Sequence, residues 1–194
     1  MAGDIKYYDF NGDGKVDDSD KLRLGKDRTP LGNYGITASG QWKGLYFNML
    51  WQGATNCNML LNQGLRGNGC TAYPGPVIYE FQTDIWNPTN TDALYPRPHS
   101  GTTYSNNFQG SDFWLVQARY IRLKNLSIGY DFKHKLLKKT NWLKKCNVSL
   151  SGYNLLTFSP AKKWGLDPEA AAYDASGGNY PIGRIYTLSI NLGF

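Results

Sequence analysis

The chain has 194 residues, 41% hydrophobic and 14% aromatic, with a mean hydropathy of -0.50 and a formal net charge of +6. That length holds one or two domains, and no stretch approaches the roughly 18 apolar residues that a membrane-crossing helix needs. The positive charge clusters in Lys133-His-Lys-Leu-Leu-Lys-Lys139 and Lys144-Lys145. Nucleic-acid binding is one reading of such a stretch, but with no nucleic-acid motif beside it a solvated turn between strands is favoured, and no nucleic-acid partner is expected.

Residues 4–20 form a polar, Asp-rich loop. Within it, Asp9-Phe-Asn-Gly-Asp-Gly-Lys-Val-Asp-Asp-Ser-Asp20 fits an EF-hand-type calcium loop. Asp9, Asn11 and Asp13 supply oxygens at positions 1, 3 and 5, Gly14 takes the turn, and Lys15 offers its backbone carbonyl at position 7. Asp17 stands at position 9, and Asp20 replaces the common Glu at position 12. Ca²⁺ wants six to eight hard oxygens around one tight turn, so a structural Ca²⁺ is the expected cofactor. An unliganded acidic turn is the plainer alternative.

The next stretch alternates. Tyr34, Ile36, Ala38, Gly40 and Trp42 share one face, and Leu45, Phe47, Met49 and Trp51 continue it beyond a Lys43-Gly44 turn. Two strands joined by a two-residue turn make a hairpin, each strand close to the roughly 9 to 11 residues that cross a bilayer. Trp42 and Trp51 sit near strand ends, where interfacial aromatics gather. Residues 56–112 then show no sustained period and are rich in Gly, Asn, Pro and Thr. Compact domains seldom carry so long a connection, whereas outer-membrane barrels do on their extracellular side.

A strand region follows from Trp114 to Phe132. Leu126, Ile128, Tyr130 and Phe132 alternate, but Ile121 and Leu123 have the opposite parity, which predicts a bulge or bend near Lys124-Asn125. After the basic turn, with one helical turn at Leu136-Leu137, Asn147 to Phe158 reads as a strand. A second loop spans 159–181. The last strand runs from Arg184 to Phe194, with Tyr186, Leu188, Ile190, Leu192 and Phe194 on one face and small or polar residues between them.

One greasy face and one polar face, kept to a terminal Phe, is how barrel-closing strands end. The expected fold is all-β: about five or six antiparallel strands of a transmembrane β-barrel. So few strands cannot close around a filled interior, which takes about eight, and an open edge in lipid leaves backbone groups unsatisfied. The opening residues lack the apolar h-region of a secretory signal. Both points lead to the expectation of a segment from a longer protein. Residues 1–31 then hold the calcium-type loop and extracellular chain, and 32–194 the barrel strands with the long loops 56–112 and 159–181.

No catalytic constellation appears, and the chain reads as a non-enzyme. His99 and His134 lack metal spacing, and Asp167 and Glu169 flank a loop proline. Cys57 and Cys70 bracket a Gly/Asn-rich stretch and are candidates for a loop disulfide; Cys146 looks like a small core residue.

Several blocks then stand in a familiar order: Gly3 to Asp17, Tyr120-Ile-Arg-Leu-Lys-Asn-Leu-Ser-Ile-Gly-Tyr130, Ser151-Gly-Tyr-Asn-Leu-Leu-Thr-Phe158, Gly165-Leu-Asp-Pro-Glu169 and Tyr180 to Phe194. Together they resemble the C-terminal end of SusC/RagA-type TonB-dependent outer-membrane receptors of Bacteroidetes. The resemblance implies a large plugged barrel in the cell outer membrane, surrounded by outer-membrane lipid and energised by the TonB complex through N-terminal parts that are not in this sequence. It implies a SusD-like surface lipoprotein as partner and import of glycans or peptides. Sugars stack on aromatic rings and hydrogen-bond to amides, which makes Trp86, Asn87, Tyr95 and Trp114 the candidate substrate contacts, with loop packing as their simpler role. The competing reading is a secreted calcium-dependent binding or adhesion β-module. A glycoside hydrolase would need a carboxylate pair in a cleft, and no strong pair is present.

Overall fold

A computed structural model describes residues 1–24, 28–61, 65–66, 83–99, 106–134, 137, 139, 142–171 and 182–194. The chain divides into two compact units. One comprises Met1–Thr29, Cys57–Ala118 and Ala161–Asn179; the other comprises Pro30–Asn56, Arg119–Pro160 and Tyr180–Phe194.

The second unit is one antiparallel sheet. Strands β1 (Gly32–Trp42) and β2 (Leu45–Thr55) form the expected hairpin, with Trp42 opposite Leu45. Lys43 and Gly44 both take positive φ, 48° and 91°, as a two-residue turn matched to strand twist requires. After β3 (Asn58–Leu60) and β4 (Leu115–Gln117), which pair in the other unit, come β5 (Tyr120–Asp131), β6 (Lys145–Phe158) and β7 (Ile185–Gly193). The sheet order is β1-β2-β5-β6-β7, each strand beside its neighbour in chain order once the β3–β4 excursion is set aside. The described sheet is open, with β1 and β7 at its edges.

The parity break predicted near Lys124 is a bulge. Leu50 pairs Asn125 while Trp51 pairs Leu123, so the register toward β2 shifts by one residue at Lys124. Toward β6, Leu123 pairs Leu156 and Asn125 pairs Tyr153, so Lys124 faces the two residues Asn154 and Leu155. Asn154 takes φ 54°, the left-handed conformation that Asn adopts more readily than other residues with a Cβ.

Three glycines are dictated by aromatic neighbours across the ladder. An added Cβ at Gly53 would lie 2.3 Å from the Tyr34 ring, at Gly40 2.6 Å from Phe47, and at Gly129 2.3 Å from Tyr46 and 2.8 Å from the Ser149 Cβ. Each ring lies flat across the gap left by its partner glycine, an arrangement that recovers packing a glycine otherwise forfeits.

Two expectations change. The stretch from Trp114 to Phe132 is not one strand: a 3₁₀ turn over Asp112–Trp114 and the short β4 precede β5, and Phe132 opens a second 3₁₀ turn, Phe132–His134. Leu136 of the expected helical turn lies outside the described residues. Segment 56–112, aperiodic in sequence, supplies half of a buried hydrophobic cluster with Cys57, Met59, Leu61, Leu65 and Tyr95, and Trp114, Val116, Ala118, Ala161 and Trp164 supply the rest. These residues stand far apart in the chain, so no local period announces them.

The Gly129→Val variant of the intact protein is expected to displace Tyr46 and lower folding stability by about 1–3 kcal/mol, as overpacking does. The urea midpoint of the folded protein in detergent measures it.

Candidate functional site

The register sorts the sheet into two faces. One row reads Gly40, Phe47, Ile128, Leu150, Leu188; the row beside it reads Ala38, Met49, Leu126, Gly152, Tyr186; a third reads Trp42, Leu45, Tyr130, Val148, Ile190. The opposite face reads Ser39, Asn48, Ser127, Ser151, Thr187, and then Gln41, Tyr46, Gly129, Ser149, Ser189. On that face the Ser151 hydroxyl donates to Ser127 Oγ at 2.9 Å. The bulge keeps Leu123 and Leu156 in line with Trp51, and Ile121 and Phe158 in line with Gly53, so the apolar face continues beyond it.

This apolar face is open. Leu188 is 66% exposed and Ile190 62%, and Phe47, Ile128 and Leu150 are exposed as well. Water does not tolerate so large a contiguous apolar surface on a soluble protein. The five strands have 11, 11, 12, 14 and 9 residues, enough to cross hydrocarbon. Tyr186, Leu188, Ile190 and Leu192 lie on this face by register, and Phe194 follows the last paired residue, Gly193.

In the first unit the acidic loop is drawn around its own backbone. Asp9 accepts from Gly12 N at 2.7 Å and Gly14 N at 2.8 Å, Asn11 from Asp13 N at 2.9 Å, and Asp13 from Lys15 N at 2.8 Å. Asp20 closes the loop, with Oδ1 accepting from Phe10 N at 2.8 Å and Asn11 N at 3.2 Å and Oδ2 from Asp17 N at 2.9 Å. Asp17 caps Ser19 N, and Lys21 pairs with Asp18. Gly12 and Gly14 take φ 76° and 83°, the conformation for which glycine is favoured. The amide bonds, that of Asp17 foremost, hold the Asp20 carboxyl below the usual range, and Lys21 does the same for Asp18. Each carboxylate oxygen keeps lone-pair capacity beyond these bonds, and hard oxygens suit Ca²⁺. Among the described residues, however, no group of three or more His, Cys, Asp or Glu side chains is set to hold a metal.

Beside the loop lies a cleft of about 430 Å³, lined by Tyr7, Phe10, Val16, Leu22, Leu60 and Ser111 among others. Burial pushes the Tyr7 hydroxyl up, partly offset by Ser111 and Arg66. Arg66 is itself buried, donates to the Phe108 carbonyl at 2.6 Å, and is pulled down by the loss of water. Sequence reasoning missed this cleft, because its walls come from distant segments. It also missed the buried Asp4, whose Oδ1 meets His99 Nε2 at 2.6 Å and Asn107 Nδ2 at 3.1 Å.

The four candidate substrate contacts separate. Tyr95 and Trp114 are buried, with ring centroids 5.7 Å apart and each about 6 Å from Trp164. Their polar atoms are also used: Tyr95 donates to the Leu65 carbonyl at 3.0 Å and Trp114 to the Asn107 carbonyl at 2.9 Å. They are core residues, which corrects the expectation of substrate contact. Asn87 is exposed, but its side chain holds its own turn through Thr89 and Ile85. Trp86 is partly buried against Gly3, where an added Cβ would meet its ring at 2.3 Å. Asp167 accepts from Glu169 N at 2.9 Å and so opens the short helix Pro168–Ala171. Cys57 is buried, and its thiol meets the Arg28 carbonyl; Cys70 lies outside the described residues, and with it the expected disulfide.

A wide antiparallel sheet with neighbouring strands in chain order, one continuous lipid-type face and one hydroxyl- and amide-rich face is a wall of a transmembrane β-barrel. No family model matches the sequence. The chain is 29% identical to TonB-dependent receptor P3 of Formosa agariphila, over 97% of its own length and 19% of the relative's, and 26% identical to TonB-dependent receptor SusC of Bacteroides thetaiotaomicron, over 97% and 17%. Among solved structures it matches the RagAB peptide importer in its closed-closed state with a TM-score of 0.67 and in its open-open state with 0.62, at 25% identity, covering 93% of this chain and 19% of the other. The chain is thus related along almost its whole length to the SusC/RagA-type TonB-dependent receptors, and corresponds to a partial barrel of the cell outer membrane. It spans about a fifth of those relatives' length.

Because the folded Asp20 carboxyl is depressed, the order it lends the loop is complete above its ordinary value of 3.8 and is lost only as pH falls through the lower folded value. Amide exchange at Phe10, Asn11 and Asp17 is expected to stay slow to more acid pH in the native protein than in Asp20→Asn.

Proposed function

We propose that this chain forms part of the barrel wall, with its attached loops, of a TonB-dependent outer-membrane importer for oligosaccharides or peptides that works with a SusD-like surface lipoprotein. The supporting observation is the two-faced register. A wall with Leu, Ile and Phe on one side and Ser, Thr and Asn on the other separates hydrocarbon from an aqueous passage. Five strands contribute one sector of such a wall. Gating and coupling to TonB belong to the rest of the receptor. The peptide alternative for the cargo takes support from the likeness to the RagAB peptide importer. With no catalytic constellation argued from the residues, the chain's role is binding and passage.

The acidic loop is proposed as a structural Ca²⁺ site in which Asp9, Asn11, Asp13 and Asp20 are the side-chain ligands, Asp17 ligates directly or through water, and Lys15 gives its carbonyl. Bound Ca²⁺ supplies positive charge that holds the carboxylates together. The Asx-type bonds that wrap the loop around Gly12 and Gly14 support this reading.

Two experiments on the intact receptor test these readings. Leu188→Arg places a charge near mid-strand on the lipid face and is expected to cost about 2–4 kcal/mol, read as loss of the folded, heat-modifiable band. Ser151→Arg, on the polar face, is expected to fold and alter uptake. Equal folding defects from both would overturn the assignment of faces. For calcium, isothermal titration is expected to give heat that disappears in Asp9→Ala with Asp13→Ala. No heat at millimolar Ca²⁺ would remove the site.

A further inference from the structure

We infer that the turn end of the sheet is a docking rim for anionic phospholipid headgroups, with Trp42, Lys43, Trp142, Lys144 and Phe194 as its contacts. This rests on the barrel reading. Antiparallel order places the β1–β2 turn, the β5–β6 connection and the end of β7 at the same end of the sheet, while the long connections leave from the other.

Aromatic rings and ammonium groups are interleaved there. Trp42, Trp142 and Phe194 are each close to 70% exposed. Trp142 stacks on Phe194 with centroids 5.7 Å apart and an interplanar angle of 16°. That apolar plate extends the lipid-facing row Cys146–Leu192. Lys43 Nζ lies 4.4 Å from the Trp42 ring centroid, and Lys144 is exposed and tied to β7 by its amide bond to the Gly193 carbonyl at 2.7 Å. Lys43 belongs to the β1–β2 turn and Lys144 to the entry of β6. With β5 between β2 and β6, the two lysines are separated by roughly 10 Å across the ladder, which suits neighbouring headgroups better than one shared phosphate.

Charge points the same way. Lys43, Lys133, Lys139, Lys144 and Lys145 stand at this end against the side chain of Asp131 among the described residues. Asp131 accepts from Lys133 N. Ring plates at headgroup depth with ammonium groups beside them provide an apolar seat for the glycerol region and a counter-charge for the phosphate. A zwitterionic lipid carries the same phosphate but brings its own choline cation beside it, so the ammonium groups favour the lipid with net negative charge.

The test uses the intact receptor in nanodiscs of phosphatidylcholine, alone or with about one-third phosphatidylglycerol. Native mass spectrometry reads lipid retained after detergent release, and protease protection reads insertion. The expected result is selective retention of phosphatidylglycerol that falls by roughly fivefold for each of Lys43→Gln and Lys144→Gln, weakens at high salt, and is not displaced by millimolar inorganic phosphate. Equal retention of both lipids, displacement by free phosphate, or unchanged selectivity in the double variant would overturn the proposal. A receptor that fails to insert in either bilayer fails the barrel reading instead, and Lys6→Gln in the other unit is the control expected to change neither readout.

Discussion

In hydrocarbon a backbone amide has no water to fall back on, and the sheet is built around that constraint. Every N–H and C=O between β1 and β7 must find its neighbour in the ladder, which fixes strand order and register first and leaves side chains to follow. Once Gly40 stands opposite Phe47, and Ile128 opposite Leu150, the period of two assigns each remaining residue to lipid or to the polar side. The exposed Leu, Ile and Phe are then not a flaw in packing. They are the surface that the bilayer covers.

The two units divide the work differently. The sheet buries little of its own side-chain bulk and relies on ladder bonds and on rings laid over glycines. The unit with the acidic loop has an ordinary interior, in which Tyr95 meets Trp164 edge to face, both are tilted against Trp114, and Met59 and Leu61 belong to the same cluster. Such aromatic pairs add about 0.5–1.5 kcal/mol each beyond their area. Such ring contacts hold Tyr95, Trp114 and Trp164 together in a unit where, among the described residues, only the short β3 and β4 pair as strands.

How much of this was legible depended on whether the information was local. The β1–β2 hairpin, its Lys43-Gly44 turn and the terminal strand follow from residues two apart, and the bulge at Lys124 was visible as a switch of parity. Trp114 and Tyr95 read equally as packing or as substrate contacts, because ring type is the same in a core and in a sugar site; only burial and the engaged Nε1 and hydroxyl separate the two roles. The cleft beside Phe10 was hidden because Leu60 and Ser111 join it from far along the chain. The acidic loop lay between: its turn chemistry was written in Asp9 to Asp20, while the closing role of Asp20 toward Phe10 and Asn11 needed coordinates.

The bulge at Lys124 has a consequence for how such a wall tolerates change. It acts as a phase slip between two stretches of one lattice, each with its own in–out rhythm. A single-residue insertion or deletion within either stretch inverts every side chain up to the slip, but removal of Lys124 leaves Leu123 and Asn125 on the faces that Trp51 and Leu50 already set. Length variation along these strands should therefore be absorbed at this one seam. Connections beyond the strand ends can lengthen or shorten without disturbing the rhythm at all.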